Sequence, residues 1–178
     1  ILRKKGIARA AKRTDREARE GIIKLAVNAD NTEGYVVEVN AETDFVARNE
    51  KFQALAESVL NVIKETKPAD LAALLAAPLA TGTVQEELDS LSGTIGEKLG
   101  IKDFAVIKGA TVSAYSHLGG KIGVLVALNE AGKVDLATDI AMQIAAANPR
   151  YLSPEEVPTE EVAKEKEIYR EQLLKEGK

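Results

Sequence analysis

Hydrophobic and polar residues alternate with two different periods along the first half of the chain. Apolar residues dominate positions 22–27 and 35–39, and a turn-forming Asp-Asn pair lies between the two runs, so a β-hairpin is predicted. Over residues 50–64 the apolar positions recur at intervals of three and four, which indicates an amphipathic helix that covers one face of a sheet. The mostly polar stretch 2–19 is predicted to form a helix that acts as an arm or connector.

Two more helices are predicted after the first hairpin and its helix. One spans residues 68–77, is rich in alanine and leucine, and ends at Pro78. The other begins at Thr83, because a glutamate follows three residues later and the pair forms a capping-box signature. Its apolar stripe continues to Leu99, so this helix is predicted to end at Gly100.

The second half of the chain predicts another hairpin followed by a helix. Strands are expected over 104–115 and 122–128, and a glycine-containing turn joins them. Residues 134–147 carry apolar side chains along one side of a helix, which an Asn-Pro pair stops. Residues 34–40 align with 123–129, since each is the second strand of a hairpin that precedes a helix. This likeness indicates an internal repeat.

These patterns predict an α+β fold with two related subdomains, each an antiparallel hairpin or sheet packed on helices, and a C-terminal coiled-coil arm. The arm is expected because a Ser-Pro-Glu start precedes an apolar stripe too narrow for a core helix but suited to one antiparallel helical partner. The chain starts within a helical pattern without a methionine, and its end suits the turn of a helical hairpin, so both ends are expected to be interrupted. The predicted division is a helical connector from a missing N-terminal domain (1–20), a first core subdomain (21–103), a second, incomplete core subdomain (104–152) and the first arm of a coiled-coil hairpin (153–178).

Composition narrows the class of protein. With 178 residues, 45% of them hydrophobic and 29% charged, the chain has the composition of an ordinary globular protein. It contains no apolar run near the roughly 18 residues that a membrane span needs. The lack of cysteine and the single histidine exclude disulfides, thiolate chemistry and multi-histidine metal sites. A cytoplasmic protein without a cofactor or a membrane contact is therefore expected.

Charge leaves one alternative function open. A net charge of −4 argues against a protein whose main task is to bind nucleic acid phosphates. The stretch 2–19 is nevertheless crowded with lysine and arginine, so a basic arm that binds RNA or the ribosome is the alternative to a solvated helix face. A steep salt dependence of RNA binding would favour that alternative.

The glycines of the second hairpin resemble a phosphate-binding loop, but the pattern is incomplete. The positions that need a further glycine and a Ser or Thr around Gly119-Gly120-Lys hold Tyr115 and Ile122. A strand rather than a helix follows these glycines, so a tight hairpin turn is predicted instead. No nucleophile stands in a recognisable motif with His117, which is either a solvated turn residue or a contact residue for a partner.

The connection after the first hairpin places one phenylalanine, Phe45, among polar and charged residues. Periodicity alone predicts that Phe45 belongs to the core and caps the sheet. Glu42 and Asp44 could act as acid and base or hold a metal, but no third ligand accompanies them. The simpler interpretation is helix initiation, with Thr43 or Asp44 as the N-cap and with Arg48, Asn49 and Glu50 solvated.

Three motifs, in order along the chain, resemble the elongation factor Ts family. Residues 2–8 read LRKKGIA and are soon followed by AAK, residues 42–49 read ETDFVARN, and residues 117–126 read HLGGKIGVLV. The resemblance covers essentially the whole chain but not the whole family architecture. It implies a ubiquitin-associated-like three-helix domain before Ile1, and further coiled-coil and C-terminal segments after the last residue.

The resemblance implies a nucleotide exchange factor, not an enzyme, that promotes GDP release from elongation factor Tu during translation elongation. It places Asp44 and Phe45 beside the magnesium and phosphate site of elongation factor Tu, with Phe45 as a wedge, and makes His117 part of a second contact. The implied partner is elongation factor Tu, both GDP-bound and nucleotide-free, with no direct nucleic acid; contacts between two copies of the chain are left open. The implied partner-binding residues are Thr43, Asp44, Phe45, Val46, Arg48, Asn49, His117, Leu118, Gly119 and Gly120.

Overall fold

The structure, a computed structural model, describes residues 15–177 and shows an α+β fold in which antiparallel sheets pack on helices. The chain divides after Ala146 into two compact units. The elements of the first unit are β1 (Glu20–Val27), β2 (Glu33–Ala41), α1 (Asp44–Ala47), α2 (Glu50–Thr66), α3 (Leu71–Ala76), β3 (Pro78–Leu79), β4 (Gly82–Thr83), α4 (Val84–Ile95), β5 (Leu99–Lys108), β6 (Thr111–His117), β7 (Ile122–Leu128) and α5 (Val134–Ala147), whose last residue falls beyond the division.

The first sheet is antiparallel, with strands in the order β1-β2-β5. The predicted first hairpin is confirmed: its turn is closed by the side chain of Asn28, whose Oδ1 accepts the N–H groups of Thr32 and Glu33 at 2.8 and 3.0 Å. β2 is the central strand, and helices α2 and α4 cover the core beside it. Apolar side chains that are almost completely buried in this core are Val37, Val39, Phe52, Val59, Leu60, Ile63, Val84 and Leu88.

β3 and β4 form a short two-stranded sheet. A further two-stranded sheet consists of β6 and β7, and α5 packs on it. Ala137 and Ala141 of α5 are fully buried next to Val126 of β7. Such small side chains let a helix approach a sheet closely, and the predicted hairpin and helix are both confirmed. Residues packed around this cluster are Tyr115, Val124, Leu128, Ile140 and Ile144.

The two hairpins meet at glycines in the first unit. A Cβ atom on Gly123 would lie 2.5 Å from Cγ2 of Ile23, and one on Gly34 would lie 2.7 Å from Cγ1 of Val112. Both separations are shorter than carbon atoms tolerate, so only glycine permits this approach. The N–H of Val112 also donates to the carbonyl oxygen of Asn31 at 2.6 Å. The second hairpin is therefore joined to the first by backbone contact as well as by side chains.

The helix predicted over 68–77 begins only at Leu71, and the predicted end of the next helix is wrong. α4 begins with the predicted capping box between Thr83 and Glu86 but ends at Ile95, not at Gly100. Gly96 adopts φ +93° as the C-cap, and its N–H donates to the carbonyl oxygen of Ser92 at 2.8 Å. A left-handed glycine ends a helix even where apolar periodicity continues. Leu99 therefore starts β5 instead of closing α4.

The predicted strand over 104–115 is two strands. Residues 104–108 complete β5 in the first sheet, and β6 begins at Thr111 after a reversal at Gly109, whose N–H donates to the carbonyl oxygen of Thr32 at 3.1 Å. The predicted subdomain boundary between residues 103 and 104 falls inside β5. At the other end, residues 15–19 form a turn and an irregular connection rather than the end of a helix, and the rest of the helix predicted over 2–19 lies outside the described residues.

A buried carboxylate ties together three elements of the first unit. Glu33 of β2 is 8% exposed and accepts bonds from Lys67, at the end of α2, and from the hydroxyl of Tyr35, at 2.6 and 2.8 Å. Lys108 of β5 places its ammonium 3.4 Å from the other oxygen. The bond from Lys67, then that from Tyr35, and the charge of Lys108 lower the pKa of Glu33 to about 2, against the opposing effect of burial.

The second unit contains a 3-10 turn, Pro154–Glu156, and helix α6, Thr159–Lys175. Ser153 of the predicted Ser-Pro-Glu start makes no capping bond with its side chain and precedes only the 3-10 turn, whereas the helix begins at Thr159. No residue of α6 is buried. Its large exposed apolar side chains are Val162, Ile168, Tyr169, Leu173 and Leu174. In the described part of the chain, every helix is too short or too polar to cross a membrane.

Candidate functional site

Phe45 lies on the surface with 82% of its area exposed, so the prediction that it belongs to the core is wrong. It is part of the four-residue helix α1, in which Val46 and Ala47 are buried. Successive side chains of a helix point about 100° apart, so the burial of the two following residues turns Phe45 outward. Periodicity failed here because a single helical turn is too short to define an apolar face.

The start of α1 is fixed by a residue far away in the chain. Thr43 is the N-cap, one of the two predicted candidates, and its Oγ1 accepts the N–H of Val46 at 3.4 Å. Glu97 binds Thr43 twice, because its carboxylate accepts the N–H at 3.0 Å and the hydroxyl at 2.7 Å. Sequence reasoning did not identify Glu97, which lies 54 positions away and belongs to no local motif.

The charged residues next to Phe45 have local partners. Arg48 donates to Asp44 at 2.9 Å, an exposed pair of the kind that contributes little to stability. Asn49 is the N-cap of α2, where its Oδ1 accepts the N–H of Lys51 at 2.9 Å. Asn49 therefore has a structural task, while Asp44 and Arg48 remain at the surface beside Phe45.

The turn between β6 and β7 carries the second group of predicted site residues. His117, Leu118 and Gly119 are exposed, and Leu118 presents 70% of its area to solvent. Gly120 is instead buried, and a Cβ there would lie 2.7 Å from Cγ1 of Ile22. The predicted tight turn is confirmed, since Leu118, Gly119 and Gly120 all have positive φ angles.

His117 is held beside an aromatic neighbour. The hydroxyl of Tyr115 lies 3.0 Å from Nδ1 of His117, and the two rings stack with their centroids 5.8 Å apart. Both side chains lie on β6, two positions apart, and therefore point to the same side of the strand. The exposed imidazole is thus oriented rather than freely rotating.

The carboxylates considered for acid–base or metal chemistry have structural partners. Glu42 accepts the N–H of Lys98 at 2.6 Å and pairs with Arg16 at 3.3 Å, and Asp44 pairs with Arg48 as described. Among residues 15–177, no group of three or more His, Cys, Asp or Glu side chains is arranged to hold a metal ion. The described site therefore consists of two exposed apolar side chains on well-anchored turns, with a histidine beside one of them.

Comparison with known proteins identifies the family. A family model described as Elongation factor TS matches residues 42–178. Over 188 aligned positions the chain is 45% identical to a protein named Elongation factor Ts from Nautilia profundicola, and the alignment covers 100% of this chain and 61% of that relative. The chain thus spans about three fifths of the length of the curated relative. Together, the family match and the identity over the whole chain place this protein in the elongation factor Ts family of translation elongation factors.

Proposed function

We propose that this protein is a guanine-nucleotide exchange factor that promotes GDP release from elongation factor Tu and makes or breaks no covalent bond. The observation that carries the proposal is the exposure of Phe45, 82% of whose area faces solvent although the next two residues are buried. A large apolar side chain held outward on an anchored turn is suited to insertion into a partner. Membership of the elongation factor Ts family supports elongation factor Tu as that partner.

Phe45 acts as a wedge. Burial of a phenylalanine side chain gains roughly 1.5 to 3 kcal/mol. If the cleft that receives it exists only when the magnesium and phosphate loops of elongation factor Tu are displaced, this free energy favours the displaced conformation. Asp44 lies at the base of the wedge beside Arg48, and its negative charge cannot compensate for lost magnesium contacts to the phosphates.

Exchange follows from thermodynamic linkage. When the protein weakens GDP binding by some factor, GDP weakens binding of the protein by the same factor. A nucleotide that rebinds then displaces the exchange factor, so the cycle runs in both directions. The relevant forms of elongation factor Tu are therefore the GDP-bound and the nucleotide-free forms, and no cofactor takes part.

The hairpin turn forms a second contact with elongation factor Tu. His117, Leu118 and Gly119 are exposed there and present an oriented imidazole and one apolar side chain. Gly120 contributes indirectly, because it is buried and lets the turn approach β1. Val46, Thr43 and Asn49 likewise contribute by anchoring the Phe45 turn rather than through large exposed surfaces.

The finer architecture is also a proposal. Helix α6 is the first arm of a coiled-coil hairpin, since its apolar side chains are exposed and no residue of it is buried. The two hairpin-and-helix regions are related core subdomains, and the residues before β1 are a connector. A protein of this kind works in the cytoplasm, where translation takes place.

The alternative of a basic RNA-binding or ribosome-binding arm has no comparable support in the described residues. Arg16 pairs with Glu42 at 3.3 Å, and Arg19 pairs with Glu17 at 2.8 Å. Arginines that already face carboxylates are less available to phosphates. The remaining basic residues of that arm lie outside the described residues.

Release of fluorescent GDP from elongation factor Tu, with and without this protein, tests the proposal. We expect the protein to accelerate release and Phe45→Ala to abolish most of that acceleration. Leu136→Ala is the matched control, because Leu136 is another large apolar residue, 51% exposed on α5, that has no place in the proposed site. Release rates that are unchanged by the protein, or equal for the two variants, would contradict the proposed function.

A further inference from the structure

Two segments of the first unit, more than 50 positions apart in the sequence, are linked by hydrogen bonds because each accepts bonds from the other through a carboxylate. Glu97 accepts both the N–H and the hydroxyl of Thr43, at 3.0 and 2.7 Å. In the reverse direction, Glu42 accepts the N–H of Lys98 at 2.6 Å. Residues 42–43 and 97–98 therefore hold each other through three hydrogen bonds to ionised groups, which are stronger than bonds between neutral groups.

The backbone that carries Glu97 is itself held in place. Gly96 ends α4 with φ +93°, a conformation that favours glycine. The hydroxyl of Ser92, a residue only 3% exposed, donates to the carbonyl oxygen of Glu97 at 2.5 Å. The side chain of Glu97 therefore leaves a fixed helix end and reaches Thr43 from a defined position.

Helix α1 needs this support because it cannot form by itself. Four residues make about one turn, and an isolated turn is unstable since few hydrogen bonds offset the ordering of its backbone. Val46 and Ala47 anchor one side of α1 in the core, and Glu97 anchors its first residues through Thr43. Phe45 lies between these two anchors, so its direction depends on both.

We propose that Glu97 is a positioning residue for nucleotide exchange: it holds the turn that directs Phe45 toward elongation factor Tu. The inference rests on the proposed function, because it assigns Glu97 a role in the action of Phe45. A turn that samples several conformations presents Phe45 correctly for only part of the time, and its effectiveness falls by that fraction. Preorganisation of this kind lowers the entropy loss on binding without adding a contact to the partner.

A second carboxylate in the same unit provides a matched control. Glu86 accepts the N–H of Thr83 at 3.1 Å, and the hydroxyl of Thr83 accepts the N–H of Glu86 at 3.2 Å. This is again a glutamate bound to a threonine N-cap, but it lies at the start of α4, the opposite end of that helix from Glu97, and α4 carries none of the proposed contact residues. Loss of either glutamate should destabilise a helix start, whereas only loss of Glu97 should disturb Phe45.

The experiment measures GDP release from elongation factor Tu at saturating concentrations of the full chain, with urea unfolding of each variant as the check on folding. We expect Glu97→Ala to slow stimulated release by about tenfold, which corresponds to about 1.4 kcal/mol in the activation free energy. Glu97→Gln, whose single amide oxygen retains one of the two bonds to Thr43, should recover part of the rate. With Glu86→Ala, GDP should leave elongation factor Tu at the same rate as with the unmodified protein.

A double-mutant cycle with Phe45→Ala separates positioning from general destabilisation. If Glu97 acts through Phe45, Glu97→Ala should slow release no further in a protein that already carries Phe45→Ala. Equal additional slowing in both backgrounds would overturn the inference, and so would a normal rate for Glu97→Ala when Phe45→Ala alone is slow. If Phe45→Ala stimulates GDP release from elongation factor Tu as fast as the unmodified protein does, the proposed function is wrong, and the role of Glu97 is wrong with it.

Discussion

The turn that carries Phe45 and the turn between β6 and β7 expose one large apolar side chain each but differ in their main anchor. A side chain anchors the first, because the carboxylate of Glu97 accepts two hydrogen bonds from Thr43. The backbone anchors the second, because the carbonyl oxygen of Gly120 accepts the N–H of Ile23 at 2.7 Å at a point where a side chain would not fit. The neighbouring Lys121 adds an exposed ion pair with Glu20 of β1. A turn can thus be held in place mainly by charge-assisted bonds to a side chain, or mainly by a backbone contact that only glycine permits.

The two modes of anchoring should respond differently to mutation. A side-chain anchor can be weakened in steps, because removal of one oxygen leaves the other bond in place. A glycine contact has no intermediate state, since any Cβ enters occupied space. The largest effects on folding are therefore expected at the hairpin turn, and the largest effects on exchange at Phe45.

Gly120→Ala should produce the largest loss of stability. The new Cβ would lie 2.7 Å from Cγ1 of Ile22 and 3.0 Å from the carbonyl oxygen of Ile23, at a residue with φ +91°. We expect a loss of about 3 kcal/mol in the free energy of unfolding, measured with urea. Gly119→Ala is the control, because φ is +67° but no atom lies within 4 Å of its Cβ position, so only about 1 kcal/mol should be lost. Equal losses would show that the close approach to β1 is unimportant.

Phe45→Ala should produce the largest loss of exchange activity. If the wedge contributes about 2 kcal/mol, stimulated GDP release slows by about thirtyfold. Leu118→Ala truncates the corresponding exposed side chain of the other turn and should slow release less, because only Phe45 is proposed to act at the nucleotide site. A larger effect of Leu118→Ala would reverse the assignment of the two turns. Unfolding in urea should be almost unaffected in both variants, since both side chains are exposed.

His117→Ala should weaken binding to elongation factor Tu by about fivefold, or roughly 1 kcal/mol, as measured by titration calorimetry. The loss is moderate because the imidazole is an exposed contact at one turn. Tyr115→Phe retains the stacked ring but removes the hydroxyl that lies 3.0 Å from Nδ1, so a smaller loss is expected. Identical affinity for His117→Ala and the unmodified protein would return His117 to the interpretation of a solvated turn residue.

Acid should destabilise the first unit as a whole, because it protonates Glu33, which links β2, α2 and β5. The effect should not distinguish one turn from the other. The pKa of Glu33 is lowered from 4.5 to about 2, so the folded state binds this proton less readily than the unfolded state. Its contribution is therefore complete above pH 4.5 and is lost as the pH falls toward 2. Urea unfolding of Glu33→Gln should show a less steep loss of stability across that range. An unchanged pH dependence would mean that other carboxylates dominate it.

Much of the fold was predictable because local signals agree with the final contacts. Apolar alternation around a turn-forming pair gave the first hairpin, and the spacing of three and four gave α2. The capping box at Thr83 identified the start of α4, since those bonds lie within a few residues. The end of α4 was missed because Gly96, not the end of the apolar stripe, terminates it.

The candidate site was only partly predictable. The motifs around Phe45 and His117 singled out these two segments by resemblance to a family, and their role as contacts with a partner stays a prediction. Glycines predicted the hairpin turn. The exposure of Phe45 was not predictable from periodicity, because a one-turn helix has no measurable period. Nor was Glu97, since its bonds to Thr43 join residues 54 positions apart.

The sequence by itself determined the α+β class, most helices and strands, and the family, because these depend on the order of residues and on contacts between near neighbours. Only the tertiary structure decided which side of α1 faces solvent, that residues 104–108 belong to the first sheet, and that Gly120 is buried. Each of these depends on contacts between residues that are distant in the chain. Their free energy is set by packing and hydrogen-bond geometry, which a one-dimensional pattern does not contain.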